Sequence, residues 1–388
     1  MSLDFLTLSR PTLAQVVEQF LGAYRQRHRL SPEQASACQS ILQCQTEALG
    51  GFYQACDHCQ YRRAYYCSCG NRHCPQCKQK ATEAWLEKQQ DNLLEVPYYH
   101  LVFTLPHEFN GWARLHAEAL YKVLFQAAWQ TLKAFSTQHK RFNGQLGLTG
   151  VLHTWGQNLS QHIHLHCLVP GIALSPDKQH IELAKGKYLY PISALRKKYR
   201  GKLVSLIRQV YEAGELHRIK APQAVKTVLN TVMKKDWVIY IKPYLKKPET
   251  ILTYLSRYTY RIALSNQRLV SVDEETVSFR YKDYADGDKQ KTLELEGVEF
   301  LRRYLQHVLP KGFMRIRHYG FLANPIRKKR LALLRQLLVT LEGIKSRLKS
   351  EKSKVVANQE QDCPKCMTGK MTRIIPIAAV KVKRRCWS

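Results

Sequence analysis

Residues 162–166 read His162-Ile163-His164-Leu165-His166. In an extended strand successive side chains point to opposite faces, so three imidazoles share one face while Ile163 and Leu165 take the other. Such a run belongs in a sheet with one face against a core. Cys167-Leu168-Val169 continues the apolar pattern and Pro170-Gly171 ends it. Two imidazoles on one pleat can hold one metal ion. A polar strand face that merely carries histidines is the alternative, and the rest of the chain weighs against it.

A chain of 388 residues can bury a sizeable core and is expected to hold two or three domains. Sixty-one Lys and Arg against thirty Asp and Glu leave a net charge of +31, which calls for a polyanionic partner. No uninterrupted apolar stretch reaches spanning length, and Met1-Ser2-Leu3-Asp4 lacks the basic start and apolar core of a signal peptide. The expectation is a cytoplasmic protein with no membrane role. Cysteines stay reduced in that compartment, so clustered ones read as metal ligands rather than disulfides.

Eight of the twelve cysteines fall between Cys38 and Cys77 and mark off an N-terminal module. Cys56-Asp57-His58-Cys59 and Cys74-Pro75-Gln76-Cys77 are CxxC knuckles fourteen residues apart, close to the spacing of a zinc ribbon or treble clef. Each knuckle can place two thiolates on one ion, so Cys56, Cys59, Cys74 and Cys77 are expected to hold a structural Zn2+. Cys44, Cys67, Cys69 and His73 could supply a second site or exchange with the first. Arg62, Arg63, Arg72 and Lys78 stand among Tyr53, Tyr61, Tyr65 and Tyr66, a mixture suited to phosphate contacts and base stacking. A helix from about Cys77 to Leu94 is expected to close the module. Near the other end, Cys363-Pro364-Lys365-Cys366 is half a zinc site. Unless Cys386 or a distant residue completes it, it reads as non-binding or labile.

Between these cysteine clusters strands and helices alternate. Tyr98 to Pro106 is strand-like, and helical periodicity follows from Phe109 to Gln138. Leu148–Trp155, a turn at Gly156–Ser160 and Gln161–Val169 form a hairpin carrying the histidines. More helix over 193–233 and a strand at Trp237–Ile241 complete an α+β pattern. Tyr254 and Tyr258 follow Pro248-Glu249-Thr250, a helix start, and at i and i+4 both phenols face the same way. Packing tyrosines on an amphipathic helix are the alternative there. A phenol with a pKa near 10 is a weak nucleophile, but a divalent ion on two imidazoles can polarise a phosphodiester for it.

With these signals in place the chain resembles the two-tyrosine HUH transposases of rolling-circle insertion sequences, which carry an N-terminal transposase zinc-binding domain. The blocks that carry the resemblance are CDHC…SCGNRHCPQC, VFTLP, HTWGQNLSQHIHLHCLVPG, YLSRYTYRIALSN and EFLRRYLQHVLPKGFMRIRHYGFLAN, in the family's order. The resemblance implies an HUH-nuclease domain with a ferredoxin-like antiparallel sheet, flanking helices and the histidines on a central strand. It implies His164 and His166 as ligands of a catalytic Mg2+ or Mn2+, Gln157 as a third ligand across the turn, and Tyr254 and Tyr258 as nucleophiles forming phosphotyrosine intermediates. Tyr260 stands where members of the family often carry a histidine.

The expected division is a zinc-binding DNA-recognition domain at 1–96, the nuclease at 97–265, a C-terminal DNA-binding region at 266–345 and a basic, flexible tail at 346–388. Arg257, Arg315 and Arg317 join the candidate DNA contacts, the last two in a basic and aromatic stretch ending at Phe321. The implied partners are single-stranded DNA, transposon ends and target DNA. No GxxxxGK[ST] loop is present, so unwinding falls to a host helicase or to replication. A rolling-circle replication initiator, or a zinc-dependent DNA-binding protein without catalysis, are the competing readings.

Overall fold

A computed structural model of the chain describes residues 10–77, 91–138, 142–237, 239–245, 263–284, 286–342 and 361–379. The chain divides into two compact units, each assembled from segments far apart in sequence. One takes residues 82–263 with 306–346, and the other takes 1–81, 264–305 and 347–388.

In the first unit five antiparallel strands form one sheet. Its order is Ile316–Gly320, Gly147–Trp155, Gln161–Pro170, Tyr98–Thr104, Ile239–Leu245, which makes the histidine strand central. Period-two alternation sorts each strand's side chains between two faces. Tyr99, Leu101, Phe103, Ile163, Leu165, Cys167 and Val169 are all fully buried on one of them. The helices Ala117–Gln138, Ile192–Glu212 and Pro222–Lys234 cover that face.

Ala117–Gln138 does so because Leu120, Val123, Leu124, Ala127, Ala128 and Leu132 recur at helical spacing, and each is fully buried. Helical periodicity over 109–138 is interrupted at His116, which leaves the helical region and caps the preceding turn by donating its N–H to the Trp112 carbonyl. At the far end of the opposite face, Tyr98 and Leu168 pack with Leu331, Leu334 and Leu338 of the helix Arg327–Glu342. The histidine end is left to other groups.

In the second unit the helices Leu13–Arg27 and Pro32–Gln43 each start in a capping box, Thr12 with Gln15 and Ser31 with Gln34. A three-stranded sheet, Lys289–Glu296, Thr276–Asp283, Leu269–Val272, precedes the helix Gly297–Leu305. That helix packs on Leu13–Arg27 so closely that a Cβ on Gly297 would meet the Phe20 ring at 2.2 Å. A second sheet has the order Gln361–Asp362, Lys370–Ile377, Gly51–Cys56, Arg62–Tyr66, joining strands from both ends of the chain.

The linear division at 96, 265 and 345 is therefore not the one the fold makes. Residues 266–345 divide at Leu305 between the two units, and the supposed tail supplies the strands Gln361–Asp362 and Lys370–Ile377 to a sheet. Backbone pairing to Gly51–Cys56 fixes those residues, and their local composition gives no hint of it. Among the described residues no helix is long and apolar enough to cross a membrane.

Candidate metal and nucleic-acid site

The hairpin Gly147–Trp155/Gln161–Pro170 pairs His153 directly opposite His164, and Val151 opposite His166. Residues facing each other across a strand pair share a face. The ligand nitrogens of His153, His164 and His166 all lie within 4.8 Å of one another. His153 is 2% exposed and the other two are half-buried, so the cluster has one open side.

The protonation pattern follows from the neighbours. The Nδ1 of His164 lies 2.8 Å from the His162 carbonyl, which can only accept, so Nδ1 donates and Nε2 keeps its lone pair. The Nδ1 of His166 lies 2.9 Å from Nε2 of His100, a residue of the adjacent strand Tyr98–Thr104 that is 2% exposed. A second imidazole behind His166 holds its ring plane, and with His166 Nδ1 as donor to His100 the His166 Nε2 carries a lone pair for an ion. Trp155 stacks on His153 with centroids 4.6 Å apart, and the Arg315 guanidinium lies 5.8 Å from the Trp155 ring. His307 and Gln306 both donate to the Leu159 carbonyl and pin the turn. Burial pushes the pKa of His307 down to about 4, so it serves as a neutral donor.

Three neutral imidazoles suit a divalent ion, and they leave its charge uncancelled for an anionic substrate. Imidazole nitrogen is softer than the oxygens magnesium prefers. The donor set therefore fits a transition ion such as manganese better than magnesium.

The cysteines form two further clusters. Cys44, Cys69, Cys74 and Cys77 gather in one; Cys56, Cys59, Cys363 and Cys366 gather in the other. In the first, Cys69 and Cys77 have sulfurs 3.6 Å apart, close to the edge of about 3.8 Å expected for a tetrahedron with Zn–S bonds of about 2.3 Å. Hydrogen bonding from Cys74 lowers the Cys69 thiol to about 5, while burial pushes the Cys44 thiol up to about 11.

The expected pairing of Cys56–Cys59 with Cys74–Cys77 is thus corrected, since the two knuckles go to different clusters. The turn Cys69–Cys77 folds back onto Cys44 at the end of the helix Pro32–Gln43, while the strand Gly51–Cys56 pairs with Lys370–Ile377 and meets the C-terminal knuckle. The C-terminal half-site is completed after all, by that distant pair. Cys67 is exposed, and neither it nor His73 belongs to a four-cysteine group.

Gln157 sits half-buried in the turn of the hairpin, and among His, Cys, Asp and Glu side chains of the described residues His153 joins His164 and His166. His153 could have been found in the sequence by counting back across the turn from His164. Arg62 is exposed and Arg63 donates to the Gln54 side chain. Arg72 is half-buried, with its pKa lowered by that burial. Arg317 lies over the rings of Phe125 and Phe313, on the helix-covered face away from the histidines. Lys78, Tyr254, Arg257 and Tyr258 lie outside the described residues, as does most of the helix expected at 77–94.

An imidazole cluster on one hairpin, two four-cysteine clusters and a charge of +31 are the features of a metal-binding protein with a polyanionic partner. Residues 147–330 match the family model described as "Putative transposase", and residues 16–105 match the "Transposase zinc-binding domain". The chain is 37% identical to the "Putative transposase y4qJ" of Sinorhizobium fredii over 98% of both chains. It is 29% identical to the "Transposase for insertion sequence element IS801" of Pseudomonas savastanoi pv. phaseolicola, covering 74% of this chain and 69% of that one. The chain belongs to this family of insertion-sequence transposases and carries its zinc-binding domain. No solved structure matches it.

Proposed function

We propose that this transposase cuts and rejoins single-stranded DNA through tyrosine nucleophiles, in transposition of the rolling-circle type, at the centre formed by His153, His164 and His166. The observation that carries this reading is the three-imidazole cluster on one hairpin, with His164 and His166 held in fixed orientation by their own hydrogen bonds. A divalent ion bound there supplies Lewis-acid polarisation of the phosphodiester.

Tyr254 and Tyr258 are the proposed nucleophiles, on the strength of their i, i+4 spacing and the sequence resemblance. Attack by one phenolic oxygen on phosphorus forms a Tyr–O–P ester and breaks the P–O3′ bond, and the proton lost by the phenol ends on the released 3′ hydroxyl. The ester energy is kept, so a second hydroxyl can reverse the exchange and join a new strand without a nucleotide cofactor. Two phenols permit two such exchanges in succession. Arg315, stacked outside Trp155, is placed by the proposal on a flanking phosphate, with Arg62, Arg63 and Arg72 contacting DNA in the zinc-binding domain. A host helicase or replication supplies the single strand. Relationship to a transposase along nearly the whole chain favours this reading over a replication initiator.

The test is incubation of the full chain with a labelled single-stranded transposon end and manganese. Wild type forms a covalent DNA adduct, mapped by mass spectrometry to Tyr254 or Tyr258, and Tyr254→Phe with Tyr258→Phe forms none. An adduct on another tyrosine, or none with wild type while binding persists, refutes the proposal.

A further inference from the structure

We infer that Cys56, Cys59, Cys363 and Cys366 hold one zinc ion in a ribbon whose two hairpins come from opposite ends of the chain. Cys363 and Cys366 lie beyond both matched family segments. Their placement rests on backbone pairing. Gly51–Cys56 runs antiparallel to Lys370–Ile377 with Cys56 opposite Met371, and the strands Arg62–Tyr66 and Gln361–Asp362 flank the pair.

Each CxxC sits in the turn of its own hairpin, and the two turns face each other with matched chemistry. The Cys56 and Cys366 sulfurs are 3.7 Å apart, and those of Cys59 and Cys363 are 3.6 Å apart. Both separations match the edge of about 3.8 Å of a zinc tetrathiolate and far exceed the about 2.05 Å of a disulfide.

Backbone donors are aimed at the sulfurs as a thiolate knuckle requires. Cys56 accepts from the N–H groups of His58 and Cys59 at 3.4 Å, Cys363 from Lys365 at 3.4 Å, and Cys366 from Gly369 at 3.3 Å. Such bonds favour the anionic ligand form. The two turns are also tied directly, since the Lys370 N–H donates to the Asp57 carboxylate at 2.7 Å and the Asp57 N–H donates to the Lys370 carbonyl at 3.0 Å. A Cβ on Gly369 would lie 2.4 Å from the Cys56 sulfur, so the position opposite that ligand admits no side chain. Cys56 and Cys363 are fully buried, and Met371 and Tyr61 pack on the cluster. One divalent ion at their centre would take all four sulfurs as thiolates, with release of their protons.

The experiment uses the full chain and zinc content by elemental analysis after exhaustive dialysis. Cys363→Ser with Cys366→Ser should lose one equivalent relative to wild type, and Cys56→Ser with Cys59→Ser should lose the same one. The quadruple variant should lose no more than either pair. Unchanged zinc in the Cys363/Cys366 variant, or two equivalents lost from the quadruple variant, would overturn the shared site.

Should a variant fail to fold, wild type answers on its own. In the zinc-loaded chain all four thiols should resist alkylation and become reactive together when a strong zinc chelator removes the metal. Free alkylation of Cys363 and Cys366 while Cys56 and Cys59 stay protected would equally refute the inference.

Discussion

At the histidine centre one residue separates a pair from a ligand set. His164 and His166 alone would offer two nitrogens; His153, opposite His164, brings the third. His153→Ala should therefore weaken manganese binding strongly and abolish strand cleavage while single-strand binding survives, because charge elsewhere supplies most of the affinity. Titration calorimetry and a cleavage gel on the same preparation check it. His100 lies behind His166 and outside the three-histidine cluster, so His100→Phe should lower metal affinity about 10–100-fold with full single-strand binding retained. The all-nitrogen donor set also predicts half-maximal cleavage at a lower manganese than magnesium concentration. Equal requirements would count against it. The sequence displayed this centre only in part. Alternation of His with Ile and Leu is a local signal and was legible. The third imidazole is a matter of cross-strand register, and reading it requires knowing where the turn lies.

Elements repeat the lesson at larger size. The hairpin, the strand from Tyr98 and the helices over 192–234 follow local periodicity and lie close to where the sequence puts them. The helices Leu13–Arg27 and Pro32–Gln43 go unread beside the cysteines, although Thr12-x-x-Gln15 and Ser31-x-x-Gln34 are helix-start signals. Packing on the core face makes Leu165 the place to test the sheet. Leu165→Ala should cost about 2–5 kcal/mol, seen as a fall in the unfolding midpoint. The helix Gly297–Leu305 offers a pH test. Hydrogen bonds from Arg302, joined by Arg303, hold the Glu299 carboxyl at about 2 against the opposing effect of partial burial. A lowered folded-state pKa stabilises above the ordinary carboxylate value and loses that contribution as pH falls through the folded value. Glu299→Gln should therefore be less stable than wild type at pH 7, with the gap closing as pH drops from about 4.5 toward 2. Denaturant melts across that range check it, and a gap independent of pH would refute the ion-pair assignment.

For the whole molecule the dominant quantity is the charge of +31. Neutralised phosphates release counterions, so single-strand affinity should fall linearly on a log–log plot against salt, with a slope near −0.7 for each phosphate contacted. Filter binding between about 50 and 200 mM salt measures it, and a flat line would mean the basic surface is not the binding surface. Composition sufficed for that much. It could not reveal that the first and last segments of the chain share a sheet, since pairing between residues some three hundred positions apart leaves no local periodicity to read.

That pairing also makes the protein a check on its own length. A ribosome that has finished the matched zinc-binding segment at residue 105 has made Cys56 and Cys59 and nothing for them to meet. Their partners emerge only after some three hundred further residues. Products whose synthesis stops between His318 and Cys363 would keep every histidine and both tyrosines and still carry an open ribbon. A chain that stops short of Cys363 would leave the ribbon open, so its closure reports that translation has run past that point.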